Sequence, residues 1–366
     1  MTQGPDEVQP GPQPEPVPWP WRRRRWLFGI AAAVVAVPLY VASLVQVPYY
    51  LLSPGEARSV TPLISVGEGT PVFEPEGEIL FTTVSLASKV NVYDAVRGWL
   101  DDDIEVVPEE QITGGSSREE VKRANIEAMD NSKLVATQVA LEQLGLRVDV
   151  EGSGAEVTTV VIGSPADGKL EPLDVITAVD GQPITFHTQA VSAVRQRKPG
   201  DVVSFTLQRN GAEMTTQITA TDGGDGVARI GVELRTYDLT YKFPVDVDID
   251  TGLVSGPSAG LAFALAILDE LTPGEMTGNR NVAVTGTIDA AGNVGVVGGV
   301  PQKTVTARRE GADIFLVPPQ EVELARPYAR DMQIIGVKTL AEALAALVDL
   351  GGTGVALPSP DEPPAS

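Results

Sequence analysis

The stretch from 256 to 303 constrains the fold and the chemistry of this chain more than any other. It begins with GPSAG at 256–260, runs directly into an apolar helical segment over 261–271 and ends with GGVPQK at 298–303. A serine among glycines at a turn is open to a substrate, because glycine has no Cβ atom to obstruct the approach. The start of the following helix also offers N–H groups to a developing oxyanion. Ser258 is therefore a candidate nucleophile.

A serine hydroxyl needs a neighbouring base to take its proton. The same five residues fit G-x-S-x-G, the nucleophile elbow of α/β-hydrolases, whose base is a histidine later in the chain. The single histidine, His187, precedes Ser258, so that order is excluded. Only Lys303 and Lys338 remain as amine bases after Ser258. Lys303 follows a glycine pair and Pro301, which suits the first helical position, and this partly enclosed place favours it as the base.

These motifs together resemble the proteolytic domain of the Lon family, whose members use a Ser–Lys dyad. GPSAG at 256–260 matches the family's nucleophile motif, VTGTI at 284–288 is similar to its strand with a threonine–glycine pair, and 298–303 corresponds to its lysine loop. The match continues through the helix and strand at 304–319, in the same order and with similar spacing. The resemblance implies a peptidase domain over 227–350.

The resemblance also implies a role for each matched residue. Ser258 would be the nucleophile and Lys303 the general base, with Thr285 as a hydroxyl partner of the lysine. Gly256 and Ala259 would support the turn, and backbone N–H groups at 258–259 would be the oxyanion donors.

Such a base must be neutral near pH 7, whereas a free lysine has a pKa of about 10.4. Lowering that pKa to about 7–8 requires burial, which disfavours the charged form. Val294, Val296, Val297 and Val300 precede Lys303 in the sequence and are expected to bury it. A place in the first turn of a helix adds repulsion from the positive end of the helix dipole.

The N-terminal region predicts a membrane anchor. Residues 1–25 are rich in proline and glutamine and end in four arginines, which predicts a disordered cytoplasmic tail. The apolar run 27–45 is long enough, at about 28 Å, to cross a bilayer, so we predict a transmembrane helix over 26–47. The arginines place the N-terminus in the cytoplasm and everything after the span outside. A cleaved signal peptide is the alternative.

Residues 147–221 resemble a PDZ domain of the type found in bacterial proteases. The resemblance rests on the strand patterns at 157–166 and 173–184, a helix at 187–195, and strands at 202–207 and 214–218. The last two flank Asn210 and Gly211, a strong hairpin signal. We expect 51–146, which precedes this segment, to be an extracytoplasmic first part of the Lon-type domain. The PDZ module is then an insertion in the peptidase fold.

PDZ domains bind a peptide as an added strand and hold its terminal carboxylate with backbone N–H groups. The resemblance therefore implies that the module captures protein or peptide C-termini. The glycine-containing stretch Gly152, Ser153, Gly154 and Ala155 is the predicted carboxylate cradle.

Composition excludes several other functions. The net charge of −22 and the pI near 4.4 argue against nucleic acid, since phosphates would be repelled. There is no cysteine and no H-E-x-x-H motif, so neither a thiolate site nor a metalloprotease is expected, and we predict no metal and no cofactor. No G-x-x-x-x-G-K-[ST] motif occurs, which predicts a reaction independent of ATP.

The predicted fold class is α+β: an N-terminal transmembrane helix, a small barrel-like PDZ domain with helices, a Lon-type α/β domain, and a disordered tail at 351–366. The predicted function is that of a membrane-anchored serine endopeptidase acting on extracytoplasmic protein or peptide substrates. Membrane lipid is an expected partner, and the resemblance allows a homo-oligomer. Two alternatives stay open: an inactive membrane-tethered PDZ scaffold, and an esterase in which a lysine replaces the histidine.

Overall fold

A computed structural model describes residues 21–355. Most of both predicted disordered tails, 1–20 and 356–366, therefore lies outside the described residues. The chain forms two compact units. One contains the residues up to Gly55 together with Val84–Arg118, and the other contains Glu56–Thr83 together with everything from Glu119. The stretch predicted as a single segment, 51–146, is thus divided between the two units.

The α-helices are α1 Trp21–Leu44, α2 Val92–Leu100, α3 Glu109–Thr113, α4 Arg118–Gln143, α5 His187–Arg195, α6 Gly260–Leu271, α7 Val300–Arg309, α8 Val322–Ala329 and α9 Leu340–Asp349. Short 3-10 turns lie at Thr61–Leu63, Pro257–Ala259 and Pro319–Glu321.

The strands are β1 Tyr49–Ser59, β2 Ile64–Val66, β3 Glu78–Ala87, β4 Glu105–Pro108, β5 Asp149–Glu151, β6 Ala155–Val160, β7 Val175–Val179, β8 Gln182–Pro183, β9 Val202–Arg209, β10 Ala212–Thr219, β11 Thr221–Asp222, β12 Ala228–Arg229, β13 Val232–Thr236, β14 Thr240–Lys242, β15 Val247–Ile249, β16 Asn281–Val284, β17 Thr287–Ile288, β18 Val294–Gly295, β19 Ile314–Val317 and β20 Gln333–Gly336.

Helix α1 covers the segment for which a membrane span is predicted. It begins at Trp21, so 21–25 are helical rather than part of a disordered tail, as the good helix propensity of arginine allows. Among the residues that the structure describes, no helix is both long enough and apolar enough to cross a membrane. The predicted span over 26–47 is therefore not supported by the structure.

The smaller unit also contains an antiparallel pair and a capped helix. Strand β1 pairs with β4, with Tyr50 opposite Val107. Helix α2 begins after Asn91, whose side chain accepts hydrogen bonds from two N–H groups of the first turn. The Asp94 carboxylate in turn accepts a hydrogen bond from the Asn91 N–H. This reciprocal cap fixes the start of the helix.

The larger unit is built on four parallel strands in the order β20-β19-β16-β3. Ile79 of β3 lies opposite Val282 of β16, and both are fully buried. Helix α6 follows the GPSAG turn, and all twelve of its residues are buried. A helix that is buried on every side needs protein around it, so α6 is the centre of this unit.

One hydrophobic core joins parts of the chain that are far apart in sequence. It contains α6 and buried residues from Val60 to Val148 as well as from Ile249 to Leu347. Residues on both sides of the segment that resembles a PDZ domain therefore share a single core. That segment has a core of its own, centred on Phe205 and Ile176.

The intervening module is a sheet in the order β10-β9-β7-β6-β13, with β8 paired to β7. Strands β9 and β10 form the hairpin predicted around Asn210 and Gly211, both of which have positive φ. Helix α5 spans His187–Arg195, as predicted. Strand β13 lies at the end of the sheet order, so one of its edges faces away from the sheet.

Candidate functional site

The turn that carries Ser258 is shaped by two glycines. Gly256 has φ +101°, a conformation that other residues rarely adopt. Pro257–Ala259 then make one 3-10 turn, and α6 starts at Gly260. A Cβ atom on Gly260 would lie 2.8 Å from the Ser132 Oγ and 3.0 Å from Ile288. The sequence GPSAG is thus required by space as well as by backbone geometry.

Lys303 reaches the same place from helix α7. Gly299, with φ +70°, precedes the helix, and Val300 is its first residue, so Pro301 occupies the second position rather than the first. The Lys303 Nζ donates hydrogen bonds to the Ser258 Oγ at 2.6 Å and to the Thr285 Oγ1 at 2.9 Å. The structure therefore brings together the three predicted side chains, although Ser258 and Lys303 lie 45 positions apart in the sequence.

Thr285 also holds the backbone of the nucleophile turn. It follows β16 directly and is fully buried. Its hydroxyl donates to the Ser258 carbonyl oxygen at 3.2 Å, and the N–H of Gly286 donates to the same oxygen at 2.9 Å. The hydroxyl proton is thereby directed to the carbonyl, which leaves the Thr285 Oγ1 as an acceptor for the lysine amine.

Burial controls the protonation of Lys303. Its side chain is only 2% exposed, and this desolvation lowers the pKa of Lys303 from 10.5 to about 8. The negative charge of Glu321 opposes the shift. The expected valine shell is formed in part: Val300 is buried, but Val296 is 60% exposed.

Glu321 was not found from the sequence, although it bears directly on the site. It is buried at the end of a 3-10 turn, and its Oε1 accepts a hydrogen bond of 2.7 Å from the N–H of Val297, in the loop before Lys303. Burial raises the pKa of Glu321. Its sequence context, after a strand that is followed by two prolines, carries no signal of a contact with a loop 24 residues earlier.

The structure does not support the predicted carboxylate cradle at 152–155, because the N–H groups of Ser153 and Gly154 already have partners. The Ser153 N–H donates to the Tyr237 carbonyl and the Gly154 N–H to the Thr185 carbonyl. Ala155 is paired with Thr236 of β13. These residues form the junction where the chain enters and leaves the module.

The module instead has a groove between helix α5 and strand β13. It is a cavity of about 220 Å³. Its apolar lining comprises Ala190, Val191, Val194, Phe205, Ile230 and Leu234.

Gly231 also lines the groove and lies immediately before β13. It has φ +79°, and a Cβ atom there would lie 2.2 Å from the Ser164 Cβ. The sequence Ile-Gly-Val at 230–232, a glycine between apolar residues directly before a strand, was the signal that could have located this part of the groove.

The described residues contain no group of three or more histidine, cysteine, aspartate or glutamate side chains arranged to hold a metal ion.

His187 lies at the start of α5, with its Nδ1 2.7 Å from the Thr236 Oγ1. Burial lowers the pKa of His187. This histidine bridges the helix and the groove strand, and it is in a different module from Ser258.

Two family models match the chain. Residues 143–220 match the PDZ domain, and residues 229–349 match the Lon protease (S16) C-terminal proteolytic domain. The chain carries a PDZ domain and a Lon-type proteolytic domain. The resemblance drawn from the sequence motifs is confirmed to this extent, and Lys303 and Ser258 both lie within the matched proteolytic domain.

Curated relatives match over limited parts of their length. The Lon protease of Vibrio parahaemolyticus is 28% identical over 189 residues, which cover 49% of this chain and 22% of the relative. Lon protease 2 of Bacillus subtilis is 32% identical over 115 residues, which cover 31% of this chain and 20% of the relative. The chain thus spans about a fifth of the length of these relatives.

Solved structures similar to this chain include the PDZ domain of an SdrC-like protein from Listeria monocytogenes. It is 26% identical, covers 22% of this chain and 87% of that chain, and has a TM-score of 0.21. A solution structure from Geobacillus thermodenitrificans is 34% identical with the same TM-score of 0.21, and covers 22% of this chain and 95% of that chain.

The buried amine of the Lon-type domain predicts a measurable cost to stability. In the folded protein the pKa of Lys303 is lowered, so the unfolded chain binds the extra proton between pH 8 and 10.5. The free energy of unfolding should therefore rise across that window, and the full penalty, on the order of 3 kcal/mol, should be present below pH 8. Lys303→Met should stabilise the protein by about 1–3 kcal/mol at pH 7 and should remove this rise.

Urea unfolding of both proteins from pH 7 to 10.5 measures the effect. Lys338→Met is the matched control, because Lys338 is exposed and its replacement should leave the curve unchanged. A Lys303→Met protein that is less stable at pH 7 and keeps the wild-type slope would contradict the assignment of a buried, deprotonation-prone amine.

Proposed function

We propose that this protein is a membrane-anchored, ATP-independent serine endopeptidase, with Ser258 as nucleophile and Lys303 as general base. The observation that carries the proposal is the contact of 2.6 Å between the Lys303 Nζ and the Ser258 Oγ at a buried site. A general base must lie within about 2.6–3.2 Å of the proton that it takes, and this pair meets that requirement.

In the proposed reaction neutral Lys303 takes the proton of the Ser258 hydroxyl as the oxygen attacks a peptide carbonyl. The N–H groups of Ser258 and Ala259, in the first turn after Gly256, would stabilise the oxyanion. The protonated lysine then gives its proton to the leaving amine, and an acyl-enzyme forms on Ser258. Water hydrolyses this ester with Lys303 again acting as the base.

The pKa of about 8 suits this role. Roughly a tenth of the lysine is neutral at pH 7, which is far more than for an ordinary lysine, and the amine remains a strong enough base to accept the serine proton. Thr285 supports the proposed dyad because its oxygen fixes the lysine amine from a second direction.

The groove of the PDZ domain is the proposed capture site for protein or peptide C-termini. A peptide would pair with the outer edge of β13 and place its apolar side chains between this strand and α5. The loop at Gly231 replaces 152–155 as the proposed place for the terminal carboxylate, because Gly231 lines the groove and directly precedes β13.

Membrane anchoring and an extracytoplasmic catalytic domain are proposals from the sequence. They are supported by the apolar run at 27–45 and by the four arginines before it. Independence of ATP is proposed because the chain has no G-x-x-x-x-G-K-[ST] sequence. Self-association into a homo-oligomer remains a proposal from the resemblance to the Lon family.

An inactive PDZ scaffold is the second candidate. Burial of Lys303 against a serine hydroxyl speaks against it, because a binding protein gains nothing from a desolvated amine that costs stability. An esterase of the α/β-hydrolase type would have to use a lysine in place of the histidine that this chain does not have after Ser258.

Reaction with a peptidyl boronate tests the dyad. We expect the wild-type protein to bind the boronate and to cleave fluorogenic β-casein, with a rate that rises with pH through about pH 8 as Lys303 loses its proton. Ser258→Ala and Lys303→Ala should each reduce cleavage by at least 10³-fold. Lys338→Ala is the control, and neither ATP nor EDTA should change the rate. Equal boronate binding in wild type and Ser258→Ala would refute the mechanism.

A charge in the groove tests the function of the PDZ domain. Val191→Glu should abolish binding of a peptide library with free carboxyl termini, because a second carboxylate would lie in the apolar groove. It should leave boronate binding unchanged. Ile162→Glu is the matched control, since Ile162 is 93% exposed in the same module. If amidated peptides bind as well as free acids, C-terminal capture is refuted.

The absence of cysteine allows a clean test of the proposed membrane topology. We expect the full chain to remain with the membrane after carbonate extraction. A membrane-impermeant maleimide applied to intact cells should label Ile162→Cys and should not label Thr2→Cys until the cells are lysed. Release by carbonate would refute the anchor, and labelling of Thr2→Cys in intact cells would refute the orientation.

A further inference from the structure

Two consecutive peptide groups contain the N–H donors that the proposed reaction uses. The N–H of Ser258 belongs to the same planar group as the carbonyl of Pro257, and the N–H of Ala259 shares a plane with the carbonyl of Ser258. In a trans peptide the N–H and the C=O point in opposite directions. The hydrogen bonds that hold these two carbonyls therefore also set the directions of the two N–H groups.

The Ser258 carbonyl is held from the side of the parallel sheet. It accepts hydrogen bonds from the Gly286 N–H and from the Thr285 hydroxyl, which lie just beyond the end of β16. The direction of the Ala259 N–H is fixed in this way by residues next to Lys303.

The Pro257 carbonyl is held by helix α4. The Ser132 hydroxyl donates to the Pro257 oxygen at 3.1 Å, and the N–H of Gly260 donates to the same oxygen within the turn. Ser132 is 4% exposed and lies 125 residues before Pro257. The direction of the Ser258 N–H therefore depends on a side chain from the part of the core that precedes the PDZ domain.

Helix α4 has a second contact with the same turn. The Asn125 carbonyl, two turns of helix before Ser132, accepts a hydrogen bond of 2.9 Å from the N–H of Gly256. The turn itself has no side-chain cap at either of its two helical starts. Hydrogen bonds from outside the turn are thus needed to hold it in place. Gly260 leaves the space in which the Ser132 hydroxyl lies.

We propose that Ser132 is a positioning residue for the peptidase reaction: through the Pro257 carbonyl it orients the Ser258 N–H toward the oxyanion. The inference rests on the proposed function. Ser132 touches neither Lys303 nor the substrate carbonyl in this mechanism, so it acts on the stability of the tetrahedral species and not on substrate binding or on the base.

The test compares Ser132→Ala with the wild-type protein in the full chain. We expect the inhibition constant of the peptidyl boronate, whose adduct is tetrahedral, to rise about 3–10-fold and kcat for fluorogenic β-casein to fall by the same factor. KM should stay within about twofold, and the midpoint of the pH profile should not move. A general loosening of the fold would instead change KM and the pH profile as well.

Two further variants distinguish the loss of the Ser132 hydrogen bond from a general loss of folding. Ser132→Cys keeps the size of the side chain with a weaker donor, and it should give a smaller loss of the same kind. Thr137→Val removes another buried hydroxyl from α4 and should leave the boronate constant unchanged. If Ser132→Ala does not fold, as judged by circular dichroism, the decision rests on Ser132→Cys.

The outcomes separate the two proposals. Wild-type protein that neither binds the boronate nor cleaves casein would overturn the proposed function. Wild-type protein that does both, with the same boronate constant in a folded Ser132 variant, would leave the peptidase and overturn the positioning role. Parallel losses in boronate affinity and kcat support the positioning role.

Discussion

The hydrogen bond between the Lys303 amine and the Ser258 hydroxyl depends on keeping an ammonium out of water. Burial disfavours the charged amine and lowers the pKa of Lys303 to about 8. The packing of the surrounding core must offset the free energy that this burial costs. Helix α6 is buried over its whole length, β16 is followed by the buried Thr285, and α7 carries the lysine at a buried position. The proposed chemistry is therefore a property of the core as a whole, since no single loop could hold the amine in a dry place.

The position of the PDZ domain follows from the same core. Residues before and after it pack together around α6, so the peptidase domain is complete only when both parts have met. The chain enters the PDZ domain by β5 and leaves it by β14, and these strands pair with each other. Arg235, on the groove strand, forms an ion pair with Glu127 of α4, the helix that also contacts the nucleophile turn. Capture and cleavage are thus proposed for modules that share one supporting helix.

The sequence motifs predicted the side chains of the candidate site, but they did not predict the residues that hold those side chains in place. GPSAG, the threonine–glycine pair and the lysine loop each carry a local pattern, because glycine and proline mark the turns that the geometry requires. Ser132 and Glu321 carry no such pattern, since each acts through a single contact with a segment that is distant in sequence. The carboxylate cradle was misplaced for a related reason. Gly152 and Gly154 suggest an open loop, but the N–H groups of that loop are satisfied by carbonyls at 185 and 237, which only the folded chain brings near.

The sequence by itself determined which groups could do chemistry. With one histidine placed before Ser258 and no cysteine, a lysine was the remaining base, and the glycine-rich turns located both members of the pair. The helix at 187–195 and the hairpin at Asn210 and Gly211 were also local decisions, made by capping, spacing and turn propensity. Only the tertiary structure decided how far the Lys303 amine is shielded from water and which carbonyls of the nucleophile turn accept hydrogen bonds. It also decided where the groove of the PDZ domain lies. These quantities depend on desolvation and on contacts between residues more than 100 positions apart, and local sequence patterns do not encode them.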